Sequence, residues 1–512
     1  MVLDYIVLLL YAVGMIAIAI YTRNRSGSVD DFLLAGKKGL NGLMSAFAYG
    51  TTYFSAVIFI GYAGSFGTRF GLASVWIGIG NAIFGSLIAW MVLAKRTKNM
   101  TQRLSSKTMP DFFSKRYDSH ALKLVSAVVI FIFLIPYSAS VYSGLSALFE
   151  IVFGIEGWII MLALAALTAV YLFFGGYFAT ALSDFIQGII MLVGVVLMVV
   201  LFMNSPEVKW DLSSLVTDAE KTWFTFSSSQ TGFYGSTVSL LSLICLTSFG
   251  VWALPQTIHK YYAIRDRKAI RLGTAVSTGF ALVIGFCAYF VGALSKFFPQ
   301  TEGIPSDRIV PTMISIVIPT GLMGLIAVLI LSASMSTLSS VSLASASVVA
   351  MDLYKGSIRK NADEKNVNLV MRVLCLVFIV ISVVLAVLNE EFGISAIAYM
   401  MGISWGTLAG CFMGPFVLGL LWKRVTKPAV WCSIIGSLIL TAVLIVVLGY
   451  DSQGWSCTFG VALKSGISLS PTIGVICMIF SLAITAVVSL FTKAPEQRVL
   501  DEAFSKPIEN EV

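Results

Sequence analysis

Long runs of hydrophobic residues recur along this chain and are separated by short polar segments. A helix rises about 1.5 Å per residue, so about 20 apolar residues are needed to cross roughly 30 Å of hydrocarbon. Thirteen runs come near or exceed that length: 2–22, 41–65, 72–94, 122–151, 157–174, 183–204, 236–258, 272–297, 319–350, 367–388, 393–421, 428–449 and 471–491. Because lipid offers no partner for backbone N–H and C=O groups, such runs must be helical. The pattern predicts an all-α membrane protein with thirteen transmembrane helices.

The composition agrees with that pattern. Hydrophobic residues make up 58% of the 512 residues and charged residues 12%, whereas a soluble domain has roughly 25% charged residues. The seven cysteines lie singly, and His120 and His259 have no partner at a spacing that suits a metal or a nucleophile. We expect both histidines in solvated loops. An integral membrane enzyme would need His, Cys or acidic residues clustered within the spans, and the sequence does not provide such a cluster.

The 34 lysines and arginines fall mainly on one side of the predicted membrane. Alternate loops carry 28 of them, including the segment 260–271, and the opposite loops carry six. Because short cytoplasmic loops retain positive charge, the N-terminus is predicted on the outer side of the plasma (inner) membrane and the C-terminus on its cytoplasmic side. The net charge of +8 then reflects topology in the lipid bilayer and gives no reason to expect nucleic acid as a partner.

The spans are predicted to form one transmembrane domain over residues 1–491, followed by a short cytoplasmic tail over 492–512. Ten of the helices divide into two groups of five, about 41–204 and 236–421. Since five is an odd number, the two groups enter the membrane from opposite sides, as in transporters built from inverted repeats. A channel or a membrane sensor is disfavoured, because the pattern contains no repeated filter loops and no cytoplasmic output domain.

The first helix of each group contains polar, helix-breaking residues near its middle. Span 41–65 contains the sequence GTTYFS at 50–55, and span 236–258 contains TSFG at 247–250 followed by Pro255. Inverted-repeat transporters bind their solute near the midplane, where equivalent helices are interrupted. The alternative is that these small residues only allow close helix packing.

Span 319–350 is rich in serine, and the hydroxyls of Ser336, Ser339 and Ser340 share one helical face. Sodium is a hard cation that needs several oxygen ligands in a dry site, from hydroxyls or from carbonyls freed where a helix unwinds. This helix therefore predicts a sodium site. The alternative is a packing face whose hydroxyls bond back to carbonyls one turn earlier.

Asp184 is one of very few acidic residues near a span. An ionisable group at membrane depth is a candidate for function. A carboxylate in the first turn of a helix also caps free N–H groups, and the sequence leaves both interpretations open.

Several motifs recur here in a specific order: DDFLLAG (30–36), MPDF (109–112), RY (116–117), FGG (174–176), SDFIQG (183–188), MSTLS (335–339) and DLY (352–354). Together they resemble the sodium:solute symporter family, which includes bacterial proline, pantothenate, sialic acid and sodium-galactose transporters. The resemblance implies a LeuT-type 5+5 inverted-repeat fold, with one extra helix before the repeats and two after them. It also implies a symporter that imports a small organic solute with Na+ and carries out no enzymatic reaction.

The family's sodium sites can be placed on this sequence through the same resemblance. The shared site maps onto the backbone carbonyls of Thr51, Phe54 and Ala333 and the hydroxyls of Ser336 and Thr337. A second site, found in some members, maps onto Asp184, Ser336, Ser339 and Ser340. One or two Na+ ions per transport cycle are therefore implied.

The solute is expected beside the helix interruptions. The candidates to line its site are Tyr53, Ser55, Tyr137, Thr247, Trp252 and Gln256, each of which can also be a packing residue. Residues 249–273 resemble the pantothenate carriers most, which favours a pantothenate-like or proline-like carboxylate or amino acid. No basic residue is predicted within a span to pair with that carboxylate. A sodium/sugar symporter is the alternative, although Ile58 and Gly78 stand where sugar carriers have a glutamine and a glutamate.

Overall fold

The computed structural model describes residues 2–23, 28–34, 40–216, 233–359, 361–393 and 396–504. Fourteen helices form the body of this described part: α1 Val2–Thr22, α2 Gly42–Tyr53, α3 Val57–Arg103, α4 His120–Phe153, α5 Gly157–Met203, α6 Ser236–Trp252, α7 Pro255–Tyr262, α8 Arg267–Phe297, α9 Ser306–Val317, α10 Met323–Ile358, α11 Glu364–Phe392, α12 Ile397–Leu421, α13 Lys427–Gln453 and α14 Ser470–Phe491. Shorter helices lie at Val29–Leu34, Met109–Arg116, Ser213–Val216, Pro299–Thr301, Phe459–Ser468 and Gln497–Phe504. The prediction of an all-α membrane protein is confirmed.

Ten of these helices are long and apolar enough to cross a membrane, and the bent pair α6 and α7 makes an eleventh. Two of the ten, α3 and α5, have 47 residues each. A straight helix of that length would be about 70 Å long, more than twice the thickness of the hydrocarbon. Each contains a glycine with positive φ, Gly71 at 56° and Gly176 at 60°. The predicted number of thirteen spans depends on these two helices and stays a prediction, as does the orientation of the termini.

Helix α10 lies at the centre of the molecule and packs against α1, α4 and α5. Most residues of its apolar segment are buried, whereas most of those in α1 are not. Outward-facing apolar residues of α1, such as Leu9 and Leu10, stay exposed within the isolated chain, as expected for a helix that faces lipid. The serine-rich sequence is thus central, so its hydroxyls must find partners inside the protein.

The two interrupted helices contain their breaks where the sequence predicted polar residues. Helix α2 ends at Tyr53, and Phe54 has extended backbone angles, with φ −107° and ψ 112°. Helices α6 and α7 meet at an angle of 41°. The start of α2 is also joined to the end of α7, because the Leu40 N–H donates to the Ala263 carbonyl at 2.8 Å.

The second half of the bent pair differs from the prediction. His259 and Lys260 were expected in a solvated cytoplasmic loop, and this expectation is wrong. Both lie in α7 and are buried, with 7% and 2% of their surfaces exposed. Helix α7 is short and polar in sequence but passes through the interior, where its polar side chains meet partners on other helices.

The C-terminal segment also has more structure than the polar tail expected over 492–512. The helix Gln497–Phe504 packs on the body of the protein, where the Arg116 guanidinium lies 5.0 Å from the centre of the Phe504 ring. Arg103 donates a hydrogen bond to the Ala503 carbonyl at 3.3 Å. The remaining residues of the predicted tail, 505–512, lie outside the described part of the chain.

Candidate ion and solute sites

The last turn of α2 supplies a carbonyl group to the serine-rich helix. Thr51 lies in that turn, where carbonyl groups lose their regular partners four residues ahead. The Ser336 hydroxyl donates to the Thr51 carbonyl at 3.0 Å, and the Thr337 hydroxyl donates to the same oxygen at 3.3 Å. The Ser336 hydroxyl is also 3.1 Å from the Ala333 carbonyl. Four of the five residues predicted for the shared sodium site are therefore joined directly.

The fifth residue, Phe54, follows immediately at the break. Its N–H donates to the Gly50 carbonyl at 3.1 Å and closes the last turn of α2. All five residues are almost fully buried. The group defined by Thr51, Phe54, Ala333, Ser336 and Thr337, called the oxygen cluster below, contributes carbonyl and hydroxyl oxygens and no formal charge. Such oxygens are the ligands that a hard monovalent cation requires.

The residues predicted for a second sodium site are arranged differently. Lys260 Nζ lies 2.8 Å from Ser340 Oγ and 3.2 Å from Asp184 Oδ2. Ser340 Oγ is also 2.8 Å from Thr52 Oγ1. The Ser339 hydroxyl donates instead to the Ser336 carbonyl at 2.9 Å. We call Asp184, Lys260, Ser340 and Thr52 the lysine cluster.

The position of Asp184 excludes the helix-cap interpretation. The break in α5 falls at Gly176, eight residues earlier, so Asp184 is well inside the helix. Its Oδ2 atom pairs with Lys260, while its Oδ1 atom is buried with no hydrogen-bond partner among the described residues. The carboxylate thus serves a side-chain interaction between helices.

Three of the predicted solute-lining residues, Tyr53, Tyr137 and Ser55, belong to one group of aromatic and polar side chains near the break of α2. Tyr53 Oη donates to the Thr247 carbonyl at 2.6 Å, which links the two interrupted helices. The Tyr53 ring centre lies 6.1 Å from that of Trp405, and Tyr137 lies 5.6 Å from the same indole. Ser55 sits at the break and accepts from the Val57 N–H at 3.3 Å.

Other predicted lining residues contact helix α3 or stand apart. Thr247 Oγ1 donates to Asn81 Oδ1 at 2.7 Å, and Trp252 Nε1 donates to the Phe84 carbonyl at 2.9 Å. Gln256 lies in the first turn of α7 and is 1% exposed. Neither its amide nitrogen nor its amide oxygen has a hydrogen-bond partner among the described residues. A buried amide in this state marks a place where a polar ligand can bind.

The sequence reasoning missed Lys260, Asn81 and Trp405. Lys260 was assigned to a loop because it follows the last apolar residues of its span. A signal was present, since Gln256 and Lys260 are four residues apart and lie on one helical face. Asn81 and Trp405 occur singly in apolar runs, and the sequence gives no pattern that sets them apart from packing residues.

Comparison with known proteins agrees with this architecture. The profile of the sodium:solute symporter family matches residues 32–436. The chain belongs to the sodium:solute symporter family. It is a multi-pass plasma-membrane transporter of a family that couples solute movement to Na+, and its relatives are transporters.

Two relatives of the symporter are named as proline carriers. The osmoregulated proline transporter OpuE of Bacillus subtilis is 28% identical over 497 residues, which cover 95% of this chain and 94% of the relative. A sodium/proline symporter of Haemophilus influenzae is 28% identical over 431 residues and covers 82% and 83%. A solved Na+-coupled sialic acid symporter matches 97% of this chain and 99% of its own, with a TM-score of 0.76 and 18% identity. Its likeness shows the fold, which is LeuT-like.

Proposed function

We propose that this symporter imports a small carboxylate or amino acid together with Na+ by alternating access. The observation that carries the proposal is the convergence of the Ser336 and Thr337 hydroxyls on the Thr51 carbonyl, at the break of α2. An uncharged group of oxygens shared by two helices binds a cation only when both helices are correctly placed, so binding favours one conformation over another. Inward movement of one charge across 100 mV supplies about 2.3 kcal/mol for transport.

The proposed topology has thirteen spans, with the N-terminus outside and the C-terminus inside. Dividing α3 near Gly71 and α5 near Gly176, where φ is positive, and counting α6 with α7 as one span gives that number. We propose two inverted repeats, 41–204 and 236–421, within a single transmembrane domain. Their first helices are then the two interrupted ones, and the solute site lies between the breaks.

For the carboxylate of the solute we propose the first turn of α7. Leu254 precedes it in extended conformation, and its carbonyl accepts from the Thr257 and Ile258 N–H groups. Pro255 starts the helix and has no N–H, so the Gln256 N–H and the positive dipole end of the helix face the break. The unpartnered amide of Gln256 can donate to the same anion. The rings of Tyr53, Tyr137 and Trp405 offer an apolar surface for the rest of the solute.

This arrangement favours a proline-like or pantothenate-like solute over a sugar. The names of the relatives above support the proline-like class. At the position where sugar carriers have a glutamate, a Cβ atom on Gly78 would lie 2.4 Å from the Gly285 backbone. A longer side chain there would force α3 and α8 apart, because packed backbones leave no space for it.

Uptake into proteoliposomes tests the function. Labelled proline, pantothenate and galactose should be compared with an inward Na+ gradient, with K+ replacing Na+, and with the gradient collapsed. We expect Na+-dependent accumulation of an amino acid or carboxylate and none of galactose. Gln256→Ala should weaken the apparent affinity for that solute about tenfold, since a lost hydrogen bond to a charged group costs about 1.5 kcal/mol. Accumulation that is equal with K+ would contradict sodium coupling.

A further inference from the structure

A buried ammonium group occupies the place where the sequence resemblance implied a second sodium ion. Lys260 Nζ contacts Asp184 Oδ2 and Ser340 Oγ, two of the atoms that were predicted to bind that ion. The ammonium also lies 5.2 Å from the centre of the Tyr177 ring, a geometry that stabilises a cation. The Lys260 ammonium thus contacts a carboxylate, a hydroxyl oxygen and an aromatic ring, each of which stabilises a positive charge.

The charges around this group balance without any added ion. Asp184 and Lys260 are both fully buried, and they form one ion pair of opposite unit charges. Ser340, which contacts the ammonium, and Thr52, which contacts Ser340, contribute hydroxyls without charge. A sodium ion bound to the same carboxylate would stand beside the ammonium, and two like charges repel strongly where water is excluded.

The ammonium is fixed to the protein, in contrast to a coupling ion. Lys260 extends from α7, one turn after Gln256, and reaches α5 and α10. It cannot be released to the cytoplasm and therefore carries no energy from the sodium gradient. It still supplies the attraction between helices that an ion at this place would supply.

From these contacts we propose that Lys260 is a resident cation that replaces the second sodium ion, so that the transporter binds one exchangeable Na+ per chain. This inference rests on the proposed sodium symport, because that function provides the one exchangeable ion at the oxygen cluster. It also predicts that the carboxylate regains a sodium site when the amine is removed.

Equilibrium binding of radioactive 22Na+ to the purified full-length protein tests the proposal without knowledge of the solute. The wild type should bind one Na+ per chain. Lys260→Met should bind two, because Asp184 then lacks a counter-charge. Lys260→Gln provides a second variant of different polarity in case the methionine variant does not fold.

Two matched variants separate charge from shape. Lys260→Arg keeps the positive charge and should still bind one Na+. Lys260→Met combined with Asp184→Asn removes both charges and should also return to one, because the second site then lacks its carboxylate.

The outcomes also separate this proposal from the proposed function. A wild type that binds two Na+ would overturn the resident cation and leave sodium symport intact. Folded Lys260→Met and Lys260→Gln variants that both bind a single Na+ would also overturn it. A wild type that binds no Na+ would contradict sodium symport itself.

Discussion

The oxygen cluster and the lysine cluster lie one helical turn apart on α10, since Ser336 belongs to the first and Ser340 to the second. Both use a serine hydroxyl and both are buried. They differ in what the neighbouring helices bring: α2 contributes the Thr51 carbonyl to the first, while α5 and α7 contribute Asp184 and Lys260 to the second. The serine-rich helix is common to both clusters, and its neighbours decide which charged or uncharged groups each cluster contains.

The difference has an energetic consequence. The oxygen cluster is neutral, so the protein tolerates its burial with or without an ion, and a cation can enter and leave. The lysine cluster is stable only as a pair, because either charge alone would be buried without compensation. Reversible binding suits the first cluster, and permanent occupation by a side chain suits the second.

Removal of one charge from the lysine cluster should have the largest effect. Asp184→Asn leaves the Lys260 ammonium buried without a counter-charge and should lower the free energy of unfolding by about 3–5 kcal/mol. The measurement is thermal unfolding of the purified protein in detergent. A second change, Lys260→Met, should recover most of the loss, because the double variant buries no charge.

Failure of the second change to recover stability would contradict the ion-pair interpretation. It would mean that Asp184 stabilises the fold through other contacts. Glu150 offers a surface control, because it pairs with Arg308 at 3.0 Å and the two side chains are 35% and 47% exposed. Glu150→Gln should cost less than Asp184→Asn, since exposed pairs contribute about 1 kcal/mol or less.

Loss of hydroxyls from the oxygen cluster should have the next largest effect, and it should appear in Na+ affinity more than in stability. The Ser336→Ala and Thr337→Ala variants each lose one ligand hydroxyl, which should weaken Na+ binding about tenfold, or about 1.4 kcal/mol. Na+ titration of uptake and 22Na+ binding measure the change. Ser334→Ala is the matched control, because Ser334 donates only along its own helix, to Ile330 at 2.8 Å. An unchanged Na+ response in both site variants would refute the sodium site.

A smaller effect is expected where α2 touches the lysine cluster. Thr52→Val removes the hydroxyl that contacts Ser340, which should cost about 1 kcal/mol of stability and leave the number of bound Na+ ions unchanged. Thr51→Val is the neighbouring control. The Thr51 hydroxyl donates to the Phe47 carbonyl of the same helix, while its own carbonyl accepts from the Ser336 hydroxyl in the oxygen cluster. A loss of Na+ affinity in Thr52→Val larger than that in Ser336→Ala would reverse the assignment of the two clusters.

Sequence patterns predicted the regular parts of this molecule well. The first span was expected at 2–22 and is observed at Val2–Thr22, because an isolated apolar run ends where charged residues begin. The break of α2 was expected within 50–55 and occurs after Tyr53. Such features depend on local composition, which a sequence displays directly.

The parts that were missed depend on contacts between distant segments. Residues 259–262 follow the predicted span 236–258 and resemble a loop in hydropathy, but Lys260 has polar partners on α5 and α10 that lie far away in the chain. Helix α3 continues through Arg103, beyond the apolar run that ended at 94, and in this extension Lys98 is buried and donates to the Tyr262 carbonyl at 2.7 Å. Apolar length cannot reveal either feature.

Asp307, near the start of α9, shows how a shielded carboxylate behaves without a lysine. It accepts a hydrogen bond from the Ile397 N–H at 3.1 Å, and its Oδ1 atom has no partner among the described residues. Burial raises the pKa of this carboxyl to about 6, although the Ile397 N–H works in the opposite direction. The folded state therefore favours the protonated form, and the stability from this group is present below the unfolded pKa of about 4 and is lost as pH rises through about 6.

Asp307→Asn should remove that pH dependence, because the amide keeps an acceptor oxygen and cannot ionise. As pH rises from 5 to 7.5, the wild type should lose stability relative to the variant, and its melting temperature should fall relative to that of the variant. The loss in free energy of unfolding should be about 1 kcal/mol or less, since the residue is half-buried and solvent screens its charge. Thermal unfolding at several pH values measures the difference. Parallel curves for the two proteins would show that Asp307 does not titrate in this window, and would remove the contrast with Asp184, whose charge the resident lysine balances.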